Sequence, residues 1–143
     1  GKAVKAEILP RQKTMNSSPR LVKRARAISR RKRWVARAAN GTAKNSFVSP
    51  IAAGEKVVAS TKSQTFELLR QNCSDAVAVE MEGYGFVDAA NASGCDAIVV
   101  RGISDLIDGK AKADADRWQQ VASTNAAAFA FQLLAEYAPP KST

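Results

Sequence analysis

Two short stretches carry groups that could do chemistry, and each follows one of the most apolar runs of the chain. Ala76-Val77-Ala78-Val79 passes straight into Glu80-Met81-Glu82, and Ala97-Ile98-Val99-Val100 into Arg101-Gly102-Ile103-Ser104-Asp105. Carboxylates there are costly to bury unless they are paired or used. An ionised one can accept hydrogen bonds from ligand hydroxyls; one whose pKa is raised by seclusion can deliver a proton. The plain alternative is that such acids cap the helices that follow, which accounts for one of them readily. The chain has no histidine, which excludes every Ser-His and Cys-His nucleophile. Cys73 and Cys95 are the only cysteines, too few for a disulfide framework and without metal-ligand spacing, so two buried free thiols and no metal are expected.

The apolar runs do not alternate with polar residues, which suits strands covered on both faces, as in a parallel sheet. Between them a helix is predicted from about Glu82 to Asn91, stopped by Gly94, so the unit reads strand, helix, strand. Strands of one parallel sheet point the same way, and their C-terminal ends gather on the edge where open α/β sheets bind ligands. Both acidic stretches fall at such ends. Gly83-Tyr84-Gly85 lacks the third glycine of a dinucleotide loop and is better read as close packing of that helix on the sheet. Upstream, the run from Phe47 to Ile51 reads as a strand opening into a turn at Gly54, and Thr61 to Gln71 as a helix. Ser17-Ser18-Pro19 offers a helix start, with apolar residues at helical spacing up to Ala39 and Asn40-Gly41 as the stop. Downstream, Trp118, Val121, Ala122, Phe129, Leu133 and Tyr137 mark a long helix, apolar nearly all round and expected against a sheet. The residues between Asp108 and Asp116 form a charged loop that could close over a ligand or simply be solvated.

Together, Val79-Glu80-Met81-Glu82-Gly83, Val99 to Asp105 and the segment Ser49 to Val58 resemble three blocks of the nucleoside phosphorylase and methylthioadenosine/adenosylhomocysteine nucleosidase family, in the correct order and spacing. The resemblance covers Phe47 to Tyr137 well and the first 45 residues faintly. It implies a three-layer α/β fold of the phosphorylase/hydrolase type, with a mainly parallel or mixed sheet flanked by helices, and cleavage of the N-glycosidic bond of purine nucleosides or nucleotides. Asp105 matches the general acid at the purine and Ser104 the residue that orients it. Glu82, with Glu80 beside it, matches the acceptor for the ribose hydroxyls, Met81 the apolar contact beneath the sugar, and Val57 and Val58 the backbone that meets the base edge. Arg101 is read as a structural partner for a strand-end carboxylate ahead of a phosphate ligand. No cofactor is implied; inorganic phosphate is the co-substrate if the reaction is phosphorolysis. Relatives of this type suggest an oligomer and an effector or sensor domain of a signalling or defence protein, with a nucleotide such as ATP as one substrate.

The 143 residues have the size of one domain, 45% of them hydrophobic, enough for a real core. Three parts are expected: a basic segment 1–45, a core 46–138 and a tail 139–143. Residues 1–50 hold 14 Lys and Arg against one acid, a net of +13, and the rest eight against twelve, a net of −4. The basic residues concentrate from Arg20 to Arg37, a density that suits a polyanion, and Arg30, Arg31 and Arg33 are candidates to hold phosphates. Nucleic acid is not expected as a partner: there is no recognised DNA-binding motif, Trp34 is the lone aromatic of the stretch, and the remainder is acidic. A catalytically incomplete nucleotide-binding or oligomerisation module is the alternative function. It rests on the lack of a recognisable Gly-rich loop and water-positioning carboxylate in the first part, and on a start at Gly1 that reads as a piece of a larger protein. No run approaches a membrane span and no secretory signal is evident, so a cytoplasmic location without membrane contact is expected.

Overall fold

The structure is a computed structural model and describes residues 14–38, 45–53, 67, 70–71, 75–104 and 116–138. In chain order these form helix α1 (Pro19–Arg31), a 3₁₀ turn (Arg33–Arg37), strand β1 (Ile51–Ala53), strand β2 (Ala78–Glu80), helix α2 (Gly83–Ala92) and helix α3 (Asp116–Glu136). β1 and β2 pair in parallel, with Ile51 opposite Ala78 and Ala53 opposite Glu80. The arrangement is of the α/β kind. The first predicted strand, Lys2 to Leu9, lies outside the described residues, as do most of the Thr61–Gln71 helix and the 108–115 part of the charged loop. Glu67, Arg70 and Gln71 are helical, as predicted.

α1 begins at Ser18-Pro19 because proline presets the first helical turn and has no N–H to orphan. The Ser18 hydroxyl does not cap the helix. It accepts a hydrogen bond from the Ala97 N–H at 2.7 Å, while the Ser18 N–H donates to the Ala97 carbonyl at 2.9 Å. Leu21, Ala25 and Ile28 are the buried side of the helix, an arc of about 60° at ~100° per residue. The same rotation explains why α1 stops at Arg31 rather than at the predicted Ala39. A continued helix would carry Lys32 onto the buried side and Trp34 onto the outside. Lys32 instead adopts a left-handed conformation, φ 53°, and the chain turns so that Trp34, only 3% exposed, enters the core. There it meets Phe129 edge to face, with centroids 5.7 Å apart.

The core joins Leu21, Ala25, Ile28 and Trp34 to Ala128, Phe129 and Leu133 of α3, with Ile98 and Val100 packed against it. Among the described residues α3 is therefore seated on α1 and the 3₁₀ turn, whereas its composition predicts a sheet face. Phe131 and Leu134 remain exposed on its other side. The expected strand Ala97–Val100 is also corrected: among the described residues it does not form a ladder with β2, and Ala97 exchanges its backbone bonds with Ser18. The segment is held by burial, Ala97 being 3% exposed, and by side chains that face the core. Cys95 is exposed, against the expectation of a buried thiol; Cys73 lies outside the described residues.

α2 ends where predicted. Gly94 has φ +68°, and the Cys95 and Gly94 N–H groups return to the Ala90 and Asn91 carbonyls at 2.9 and 3.2 Å. This double bond closes the helix through a left-handed glycine, which a Cβ would strain.

Candidate functional site

β2 delivers Glu80 to a buried position, 5% exposed, at the start of α2. Its carboxylate accepts hydrogen bonds from the Glu82 N–H at 2.8 Å and from the Gly83 N–H at 2.7 and 2.8 Å. The first N–H groups of a helix have no partner within it and carry the positive end of its dipole, so a buried carboxylate is stable there. Of the two acids, Glu80 at the end of β2 is thus the one that caps the start of α2. Gly83 is fitted to it: a Cβ on this residue would lie 2.5 Å from Glu80 Oε1 and 3.2 Å from Val99 Cγ2.

Glu82 sits differently. Its side chain is 75% exposed and its Oε2 lies 3.6 Å from Arg101 Nη1. The pair brings the residues that follow β2 together with the end of the 97–101 segment. β1 runs parallel to β2 and so ends on the same edge, a few residues before Val57 and Val58, which lie outside the described residues.

Between these ends lies a crevice of about 280 Å³ among the described residues, lined by Glu80, Glu82, Phe86, Val99 and Arg101 and others. Phe86 is half exposed and one helical turn beyond Glu82, its N–H donating to the Glu82 carbonyl at 3.2 Å. Sequence reading passed over it, although the i, i+4 spacing from Glu82 was the available signal. Met81 is exposed between the two glutamates. Ser104 is half-buried at the end of the second stretch, and Asp105, next in the chain, lies outside the described residues.

Gly102, between Arg101 and Ser104, approaches α3 so closely that a Cβ would fall 2.0 Å from the Ala122 carbonyl oxygen. The sequence reading gave this glycine no role. At the other end of the segment the Tyr137 hydroxyl donates to Asp96 Oδ2. The segment and α3 thus run antiparallel, and its Arg101 end is set by contacts at both extremities. The Tyr137 bond, the nearby Ser18 hydroxyl and the charge of Arg20 hold Asp96 below the usual carboxylate range, and the same bond pushes Tyr137 up.

The remaining candidates lie elsewhere. Arg30, Arg31 and Arg33 are exposed, and Arg33 pairs with Glu136 at 3.4 Å. Among the described residues no cluster of His, Cys, Asp or Glu could hold a metal ion, and no helix is long and apolar enough to cross a membrane.

Comparison with curated proteins and with solved structures returns no match. A family model, described as the phosphorylase superfamily, matches residues 3–137, taking in the basic segment as well as the three motifs. With nearly the whole chain matched, the chain belongs to the phosphorylase superfamily.

Proposed function

We propose that this chain cleaves the N-glycosidic bond of purine nucleosides or nucleotides, by hydrolysis or phosphorolysis. Superfamily membership supports nucleoside-processing activity of this type. The observation that carries the finer reading is the Glu82–Arg101 pair at 3.6 Å, which joins the two chemistry-bearing stretches at the edge where β1 also ends.

Bond cleavage builds positive charge on the ribose and negative charge on the departing base. Glu82, exposed, accepts hydrogen bonds from the ribose hydroxyls, with Arg101 aiming its carboxylate. Glu80 serves through its backbone bonds, fixing the turn that presents Met81 and Glu82, and Phe86 and Met81 supply apolar surface for sugar or base. Asp105 protonates the base, oriented by Ser104, and the Val57–Val58 backbone meets the base edge. No cofactor takes part; phosphate is the second substrate in the phosphorolytic case. Activity in a self-associated form, as an effector or sensor domain of a larger signalling or defence protein, belongs to the same reading, with ATP among the candidate substrates.

The test is chromatographic detection of free purine base from adenosine, inosine, methylthioadenosine, adenosylhomocysteine and ATP, with and without phosphate. Release by the chain, lowered at least ~100-fold in Asp105→Asn, is the expected result. Dependence on phosphate assigns phosphorolysis. Release that is unchanged in Asp105→Asn, or none from any substrate, overturns the proposal.

A further inference from the structure

The basic stretch of the sequence is, in the structure, one continuous face. Taking Leu21 as the origin and ~100° per residue, Arg20, Lys23, Arg24, Arg26, Arg30 and Arg31 fall within an arc of about 160° opposite the buried side of α1. The helix contains no acidic residue. Arg33 and Arg37 beyond it are engaged by Glu136 and Gln132 of α3, and Arg20 faces Asp96. Among the described residues, no acid lies within ion-pair distance of Lys23, Arg24, Arg26, Arg30 or Arg31. Five like charges with no counter-charge among the described residues repel one another and are stabilised by an anion.

We propose that this face of α1 binds the phosphate backbone of a nucleic acid duplex without reading its sequence. From Arg20 to Arg31 the helix rises about 16 Å, a length over which a duplex presents about ten phosphate charges. Of these five cations four are arginines, whose planar forks match phosphate oxygens. The sequence features that count against nucleic acid concern base readout: no reading motif, no stacking aromatic. Backbone contact requires neither, and burial of Trp34 leaves the basic stretch itself without an aromatic on which a single strand could stack. A bilayer is disfavoured because the apolar side of α1 is spent on the core, leaving nothing to insert. A protein partner is disfavoured because none of the large exposed hydrophobic residues lies on α1 or the 3₁₀ turn, so the face offers no apolar anchor.

The experiment is fluorescence anisotropy of two labelled 20-base-pair duplexes of unrelated sequence, titrated with the chain at 50 to 200 mM salt. Five neutralised phosphates weaken binding roughly 500-fold across that range, equally for both duplexes. Arg24→Glu/Arg30→Glu/Arg31→Glu abolishes binding, and the milder Arg30→Gln/Arg31→Gln flattens the salt slope by about two; circular dichroism confirms that each variant is folded. No binding at 50 mM salt, binding retained in the folded Gln variant with an unchanged slope, or tighter binding to phosphatidylserine vesicles or polyglutamate than to duplex overturns the proposal.

Discussion

Gly102 and Ala122 stand so close that a Cβ on the glycine would lie 2.0 Å from the Ala122 carbonyl oxygen and 2.9 Å from its Cα. The contact is with helix backbone, which cannot rotate aside as a side chain can. Gly102→Ala must push the Arg101–Ser104 stretch off α3, at a cost of about 1–3 kcal/mol and a Tm lower by roughly 3–12 °C. Thermal denaturation checks this; an unchanged Tm would mean that the approach is looser than the backbone positions imply.

Glu80 and Gly83 act as a unit. Glu80→Ala strands the Glu82 and Gly83 N–H groups at the start of α2 and is expected to cost about 2–3 kcal/mol. Gly83→Ala displaces the same carboxylate and loses part of the same energy, so the double variant is less destabilised than the sum of the singles. Denaturant unfolding of the four proteins measures the coupling, and strict additivity would count against it.

Asp96 and Tyr137 predict two pH windows of opposite sign. Asp96, lowered chiefly by the Tyr137 bond, contributes stability above the unfolded value of about 4, lost as pH falls through its lower folded value. Tyr137, raised chiefly by Asp96, contributes below about 10, lost as pH rises through its higher folded value. Tyr137→Phe removes the alkaline slope, diminishes the acid one, and returns the Asp96 carboxyl toward its usual titration, which carbon-detected NMR reads directly. An Asp96 titration unaltered by the substitution would contradict the bond.

Trp34 separates packing from hydrogen bonding. Its indole Nε1 is buried with no partner among the described residues, so Trp34→Phe trades lost contact area against removal of an unpaired donor and should change stability by less than about 1.5 kcal/mol. Trp34→Ala empties the centre of the core and should cost about 3–5 kcal/mol. Equal losses in the two variants would show that the indole nitrogen is bonded after all.

Much of this was legible along the chain. Pro19 announces the start of α1 and Gly94 the end of α2, because their backbone restrictions act within a few residues. The motifs at Glu80–Gly83 and Arg101–Asp105 carry the resemblance to the family, and the apolar run before Glu80 places the first of them at a strand end. Three features were not legible. The helical pattern from Leu21 to Val35 gave no notice of the break at Lys32, because burial of Trp34 against Phe129 decides it from ninety-five residues away. Ala97–Val100 has the composition of a ladder strand, yet Ser18 takes the backbone bonds of Ala97. Cys95 reads as an apolar residue but lies exposed at the end of α2.

The sequence by itself determined the family and the residue types available for chemistry, since these depend on residue identity and on motif spacing. Only the tertiary structure divided the labour between two glutamates two positions apart. Glu80 turns inward to backbone N–H groups that only the folded start of α2 leaves unpaired, and Glu82 turns outward to Arg101, nineteen residues on. Residue type is the same in both cases; what differs is the partner within a few ångströms, and long-range packing alone supplies it.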